Sequence, residues 1–285
     1  MSIFEARFLY TDILDMKLAV YIGKREAETD EVLHELWSEL RAGGCELEFL
    51  SEDICPDADM LMSVGGDGTF LSAAMLVAGK DIPVVGVNLG RLGFLSENRP
   101  AAVAAAILSG EYTIENRTML KASLSVAPDG YDPCPCALNE FTVHRSGAAM
   151  LGVEVMLDGV QLPTYWADGL IVSTSSGSTA YSLSAGGPIA LPESKVLIIS
   201  PIAPHNLNVR PLVVPDSTQI TLKFHSRDEK VIFTADNRTV QIPADAQVKI
   251  AVAQFSLKRV RLNRSNFIDA LTEKLFWGED VRNIK

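Results

Sequence analysis

The sequence predicts an α/β domain built on a parallel sheet, followed by an all-β sandwich. Three observations predict it. Short apolar runs alternate with stretches of helical spacing through the first third, the signature of βαβ units. From about residue 118 the apolar period changes from 3.6 to 2. The chain has 285 residues, 47% apolar and 21% charged, enough to bury two ordinary cores. The expected division is 1–117 for the α/β domain, with a Rossmann-like sheet, and 118–265 for the sandwich. The tail 266–285 is expected to pack back on the first domain.

Met16-Lys17-Leu18-Ala19-Val20-Tyr21 reads as a start leading into a first strand, which leaves residues 1–15 as an upstream extension. Leu18–Ile22 is that strand. From Thr29 to Arg41 the apolar positions Val32, Leu33, Leu36, Trp37 and Leu40 mark one helix face, stopped by Gly43-Gly44. Glu46–Leu50, Met60–Val64 and Ile82–Val87 read as further strands, with an apolar helix around Leu71–Ala78. In the second part Leu120–Val126 alternates. Val153–Leu157 and Val160–Leu162 flank Asp158-Gly159, the form of a tight hairpin. Ile220–Phe224, Val231–Thr234, Val248–Ala253 and Val260–Leu262 continue the strands, and Asn266–Trp277 returns to helical spacing.

Charge and composition exclude several classes. A net charge of −11 argues against nucleic acid, whose binders neutralise phosphates with Lys and Arg. No apolar run approaches the roughly 18 to 20 residues that cross a bilayer. The N-terminus, with Glu5 and Asp12, is not a secretory signal, so a cytoplasmic protein is expected. Cys134-Pro135-Cys136 is too tight for a zinc knuckle, so Cys45, Cys55, Cys134 and Cys136 read as reduced thiols. His34, His144, His205 and His225 have no metal spacing, and no Gly-x-Ser-x-Gly elbow marks a hydrolase.

Three segments carry chemistry. Ser63-Val64-Gly65-Gly66-Asp67-Gly68-Thr69 follows a buried strand and opens a helix, at the end of a parallel strand where open α/β sheets bind ligands. Its glycines admit a phosphate to the backbone, while Asp67 suits accepting a hydroxyl proton or holding a metal. A plain turn with a capping Asp fits the same spacing. The second segment runs from Asp168 to Pro188. An apolar strand enters a stretch of six hydroxyl residues and a glycine, then a small-residue helix ending in Gly186-Gly187. Hydroxyls and small residues allow close contact with a polar ligand, and Tyr181 offers a ring to stack on. The third is Leu138-Asn139-Glu140-Phe141, whose amide and carboxylate can hold a ribose diol, the carboxylate accepting; taken alone, a turn or strand-edge pair explains it better.

Together these segments resemble the NAD kinases. That family's pattern holds Gly-Gly-Asp-Gly-Thr, then Asn-x-Gly-x-Leu-Gly-Phe-Leu, here Asn88 to Leu95. It continues with Asn-Glu and an Asp-Gly…Gly-Ser-Thr-Ala-Tyr-Ser-Leu-Ser-Ala-Gly-Gly-Pro run, matching in order and spacing from about residue 60 to 190. Ser200-Pro201 through His205 and Arg210-Pro211-Leu212 resemble the family's later stretch. The resemblance implies transfer of the ATP γ-phosphate to the NAD 2′-hydroxyl, with ATP and Mg²⁺ (or another divalent metal) as cofactors. It implies that Asp67 is the base or the carboxylate orienting that hydroxyl, and that Gly68 touches the dinucleotide. Gly65 and Gly66 would sit by the ATP phosphates, and Asn88 and Phe94 among the nucleotide contacts. Asn139 and Glu140 would bind a ribose and Asp168 the base and sugar region. Ser173, Thr179, Ala180, Tyr181, Ser182, Leu183 and Ser184 would line the rest. It also implies a homotetramer or homodimer, with no nucleic-acid or membrane partner.

Two departures stand out. Ser175-Ser176 replaces the family's Pro-Thr, and a late Asp-Gly-Gln-like turn becomes Asp236-Asn237-Arg238, where Asn can adopt the left-handed conformation Gly supplies. Arg91 and Arg145 are candidate phosphate partners. The rival readings are a lipid kinase of the diacylglycerol type, which shares the Gly-Gly-Asp-Gly-Thr loop but needs a membrane-docking surface, and a catalytically idle NAD(H)-binding regulator.

Overall fold

The computed structural model describes residues 15–23, 30–51, 55–90, 93–132, 135–262 and 267–275. The chain forms two compact units. One takes in the residues up to Leu76, Ile82–Ile114 and Val260–Ser265; the other takes in Val77–Asp81, Glu115–Arg259 and Asn266–Lys285.

The first unit is a parallel sheet in the order β2 (Cys45–Phe49), β1 (Met16–Ile22), β3 (Met60–Val64), β4 (Val84–Val87). β3 is buried along its whole length, as expected of a strand covered on both faces. Helix α1 (Glu31–Ala42) is capped by Asp30, whose carboxylate accepts from Val32 N at 2.9 Å, and ends at Gly43-Gly44. It buries Leu33, Leu36, Trp37 and Leu40, whereas Val32, expected on that face, stands 48% exposed. α2 (Asp67–Leu76) follows β3 directly. α3 (Pro100–Ser109) has no counterpart in the sequence reading, because its residues are apolar nearly all round and leave no stripe. Its termini were legible even so: Pro100 opens it, and Gly110 closes it with φ 70°.

The second unit is a sandwich of two antiparallel sheets. One carries β10 (Tyr165–Ala167), β8 (Leu151–Leu157), β14 (Ile220–His225) and β17 (Val248–Leu262) in that order. β9 (Val160–Gln161) pairs with β8, and β5 (Tyr112–Leu124) pairs with β17 and with β6 (Cys136–Ala137). The other sheet has the order β13 (Leu212–Pro215), β12 (Val196–Ile202), β11 (Gly169–Thr174), β7 (Glu140–Arg145), β15 (Lys230–Ala235), β16 (Arg238–Pro243). Their inner faces share one core, including Val153, Leu222 and Ile250 from the first sheet and Phe141, Val172 and Phe233 from the second. Phe141 and Phe233 stack at 5.4 Å. The expected hairpin is present, with Asp158 and Gly159 both at positive φ (48° and 84°).

Three expectations shift. Val248–Ala253 and Val260–Leu262 are one strand, β17, whose last residues lie in the first unit, where Val260 and Leu262 join the core. The tail helix α5 (Phe267–Leu275) groups with the second unit rather than the first. Helical spacing foretold the stripe that buries Ala270 and Leu271, but a period does not name the surface that covers it. The small-residue helix after Thr174 is a 3₁₀ turn (Ser176–Thr179) and a single α turn, α4 (Tyr181–Ser184). Residues 1–14 of the expected extension lie outside the described residues.

Candidate functional site

In the first unit, the Gly65–Thr69 loop leaves the carboxyl end of β3, and α2 begins on Asp67. Gly65 has φ 149°, and a Cβ there would strike the Thr69 side chain. Gly66 and Gly68 face open space within 4 Å, so a ligand can approach their backbone closely. Asp67 accepts three consecutive amides: Phe94 N on Oδ2 at 2.8 Å, and Leu95 N and Ser96 N on Oδ1 at 3.0 and 2.8 Å. A carboxylate has about four acceptor positions, so Oδ2 is the oxygen with capacity left for one more donor. Ser96 Oγ donates to Gly65 O at 2.6 Å. Asn88 Nδ2 donates to Ser96 O at 3.2 Å, and its Oδ1 accepts from Gly90 N at 2.8 Å. A Cβ on Gly93 would collide with the Asp67 carboxylate. The two motif segments of this unit are thus tied into one knot around Asp67.

In the second unit, β7 and β11 pair with Glu140 opposite Ser173 and His144 opposite Gly169. Phe141, Val143, Leu170 and Val172 point into the core, so Glu140, His144 and Ser173 occupy the outer face. The 3₁₀ turn and α4 pack on this face. A Cβ at Gly177 would collide with Asn139 O, and the ring of Tyr181 stacks on His144 at 5.8 Å and 12°. Four buried polar atoms here have no hydrogen-bond partner: Asn139 Oδ1, Glu140 Oε2, Ser173 Oγ and Ser176 Oγ. Orphaned buried polar groups are costly in a folded protein. Four of them on one shelf mark a place for a polar ligand.

Asp236 holds the shelf. Its half-buried carboxylate accepts Leu138 N and Asn139 N at 2.8 Å and Glu140 N at 3.2 Å. Burial pushes Asp236 up while those three amides pull it back. Glu140 is pushed up to about 8, first by burial and then by the Asp236 charge. Burial lowers His144, opposed by Asp168. Tyr181 is raised by burial, then by Asp168 and Glu140.

Several sequence expectations are redrawn. Asp168 pairs with Arg145 Nε at 2.7 Å, so these two candidate residues stand together; Arg91 lies outside the described residues. Ser182 Oγ lies 3.0 Å from Ser200 Oγ and is fully buried, packed over Gly187. Thr179 and Ala180 are half-buried in the turn that leads to Tyr181, and Leu183 and Ser184 complete α4. The left-handed residue of the late turn is Asp236 (φ 51°), not Asn237. Arg238 Nη2 donates to Cys136 O, bracing the chain that leads to the shelf. Sequence reasoning missed Asp236 as the anchor and His144 as the ring under Tyr181. Asp236 offered only an acid in a two-residue turn between alternating strands, which fits an exposed turn as well; His144 carried no signal. Hollows of about 450 Å³ beside Lys121 and Phe255 and about 630 Å³ beside Trp166 and His225 contain none of these groups.

Comparison with known proteins gives one answer for both units. Residues 6–112 match the model of the ATP-NAD kinase N-terminal domain, and residues 138–262 that of the ATP-NAD kinase C-terminal domain. The chain is 42% identical over 236 residues to the NAD kinase of Flavobacterium psychrophilum, covering 81% of this chain and 80% of that one. It is 37% identical over 290 residues to the NAD kinase of Porphyromonas gingivalis, covering 93% and 99%. Among solved structures, a yeast NADH kinase complexed with NADH shares the fold with TM-score 0.83 at 22% identity, over 95% of this chain and 90% of that one. An NAD kinase from Archaeoglobus fulgidus in complex with ATP aligns with TM-score 0.73 at 28% identity, over 87% and 95%. With both domain models matched in order and relatives above 40% identity across most of its length, the chain belongs to the NAD kinase family.

Proposed function

We propose that this chain transfers the γ-phosphoryl group of ATP to the 2′-hydroxyl of the adenosine ribose of NAD, giving NADP and ADP. The observation that carries the residue roles is the set of four orphaned polar atoms where β7, β11 and the 3₁₀ turn meet. Asn139, Glu140, Ser173 and Ser176 take the dinucleotide there, with Tyr181 and His144 as the ring pair beside it. In the first unit, Gly66 and Gly68 leave backbone open to ATP phosphates, and Asp67 Oδ2 receives the proton of the attacking hydroxyl. The 2′-oxygen forms the new bond to the γ-phosphorus, the bond to the β-bridging oxygen breaks, and ADP leaves. Positioning and charge neutralisation supply most of the rate of such a transfer.

Among the described residues no three His, Cys, Asp or Glu groups converge as a metal cage. Asp67 already holds three amides and is a poor metal ligand. In this reading magnesium enters with the substrate, carried on the ATP phosphates. No helix among the described residues is long and apolar enough to cross a membrane. A cytoplasmic homo-oligomer completes the reading.

NADP formation from ATP, Mg²⁺ and NAD by purified protein tests it. Turnover by the wild type, reduced by about 10²-fold or more in Asp67→Asn with NAD binding retained, is expected. Folded wild-type protein that binds NAD and makes no NADP would overturn the assignment in favour of a binding-only protein.

A further inference from the structure

Asp236 lies close to the buried Glu140: the backbone N–H of Glu140 donates to Asp236 Oδ1, and the Asp236 charge acts on the Glu140 carboxyl. Two adjacent carboxyls in a low-dielectric setting do not both ionise, and the charge settles where donors are fixed to receive it. Those donors are the three amides on Asp236; Glu140 Oε2 has none. The Glu140 carboxyl in turn acts on Tyr181 of α4. Arg238 acts on Asp236 from the same turn, reinforcing the charge there. Opposite Glu140, β11 contributes the uncharged Ser173, and the 3₁₀ turn contributes the uncharged Ser176.

We infer that Glu140 enters the shelf as a neutral carboxylic acid and donates a hydrogen bond to an uncharged acceptor of the dinucleotide. This rests on the reading of the shelf as the dinucleotide site. It reverses the role read from the sequence, where the carboxylate accepts from a ribose diol. The shelf then offers three O–H donors, Glu140, Ser173 and Ser176, against one obligate acceptor, Asn139 Oδ1. A ring nitrogen or an ether or carbonyl oxygen satisfies it better than a pair of hydroxyls. It also spares a dinucleotide with two negative phosphates a further buried anion.

The test is NAD affinity of the full-length protein, without ATP, from about pH 6.5 to about pH 9.5, for the wild type and Glu140→Gln. Wild-type affinity should be level up to the region of about pH 8, where Glu140 loses its proton, and fall about 30-fold by the top of the range. The glutamine, which keeps an N–H donor and cannot ionise, should bind within about threefold of wild type at the acid end and show no fall. A flat wild-type profile, or a variant more than about tenfold weaker at the acid end, overturns the inference and leaves the site reading standing. Absence of NAD binding by folded wild-type protein at the acid end overturns the site reading, and the inference with it. Should the variant not fold, the wild type alone decides. Its infrared spectrum should carry a protonated side-chain carboxyl band near neutral pH that fades toward the alkaline end, and a spectrum without that band overturns the inference.

Discussion

Asp67 and Asp236 each commit most of their acceptor capacity to three consecutive backbone amides, Phe94–Ser96 in one unit and Leu138–Glu140 in the other. Such charge-assisted bonds are among the stronger contributions a side chain makes. Asp236→Asn turns one acceptor oxygen into a donor facing amides. It should cost about 3 kcal/mol of stability, read as a lowered melting temperature, and weaken NAD binding through the displaced shelf. Glu140 has the opposite sign. Its folded pKa, about 8, lies above its unfolded value, so the folded state holds a proton that the unfolded chain has lost between about pH 4.5 and 8. Stability should therefore fall across that window as pH rises, by an amount on the order of 5 kcal/mol, and Glu140→Gln should flatten this part of the profile. Paired thermal melts of wild type and variant across the window check it. At this scale the sequence was an uneven guide. Asp67 was legible because a carboxylate among glycines at a strand end is chemically conspicuous. Asp236 was not, since an acid in a hairpin turn also fits solvent exposure, and only the buried amides reveal its task.

Between β11 and α4 the chain turns through Gly177 against the Asn139 carbonyl, with no room for a side chain. Gly177→Ala should displace the 3₁₀ turn or the shelf by enough to weaken NAD binding at least tenfold, at a cost of about 1 to 3 kcal/mol in stability. Gly159→Ala gives the contrast. Gly159 sits in the β8–β9 turn at φ 84° with nothing near its Cβ position, so the substitution should cost about 1 kcal/mol and leave NAD affinity unchanged. Calorimetric titration beside thermal melts separates the two cases. Strands with clean alternation, such as β14 and β15, were readable because one face is core and the other is not. α3 was unreadable because it is apolar on nearly every side. The short helical turns over the shelf were overestimated as one helix, since small residues carry no strong period to mark where it breaks.

For the molecule as a whole, a charge of −11 fits the proposed reading in which backbone amides and metal carried by ATP neutralise the phosphates. The expected consequence is that the magnesium needed for full activity rises in step with ATP. Titrating Mg²⁺ into the protein alone should give no stoichiometric binding, and a tight protein site seen by calorimetry would refute this. The change of period near residue 118 disclosed two units, and apolar runs located most strands. How the last strand and the tail are shared between the units was hidden, because partnership across long sequence separations leaves no local trace.

The fastening of the shelf by Asp236 also has a meaning in time. Asp67 meets its amides after 27 to 29 further residues, so the first knot can close early in synthesis. Leu138, Asn139 and Glu140 must wait 96 to 98 residues for theirs. A ribosome has therefore to translate past the β15–β16 turn before the nascent chain can fasten the shelf, and a transcript truncated ahead of codon 236 would encode a chain that lacks the anchor of its second knot.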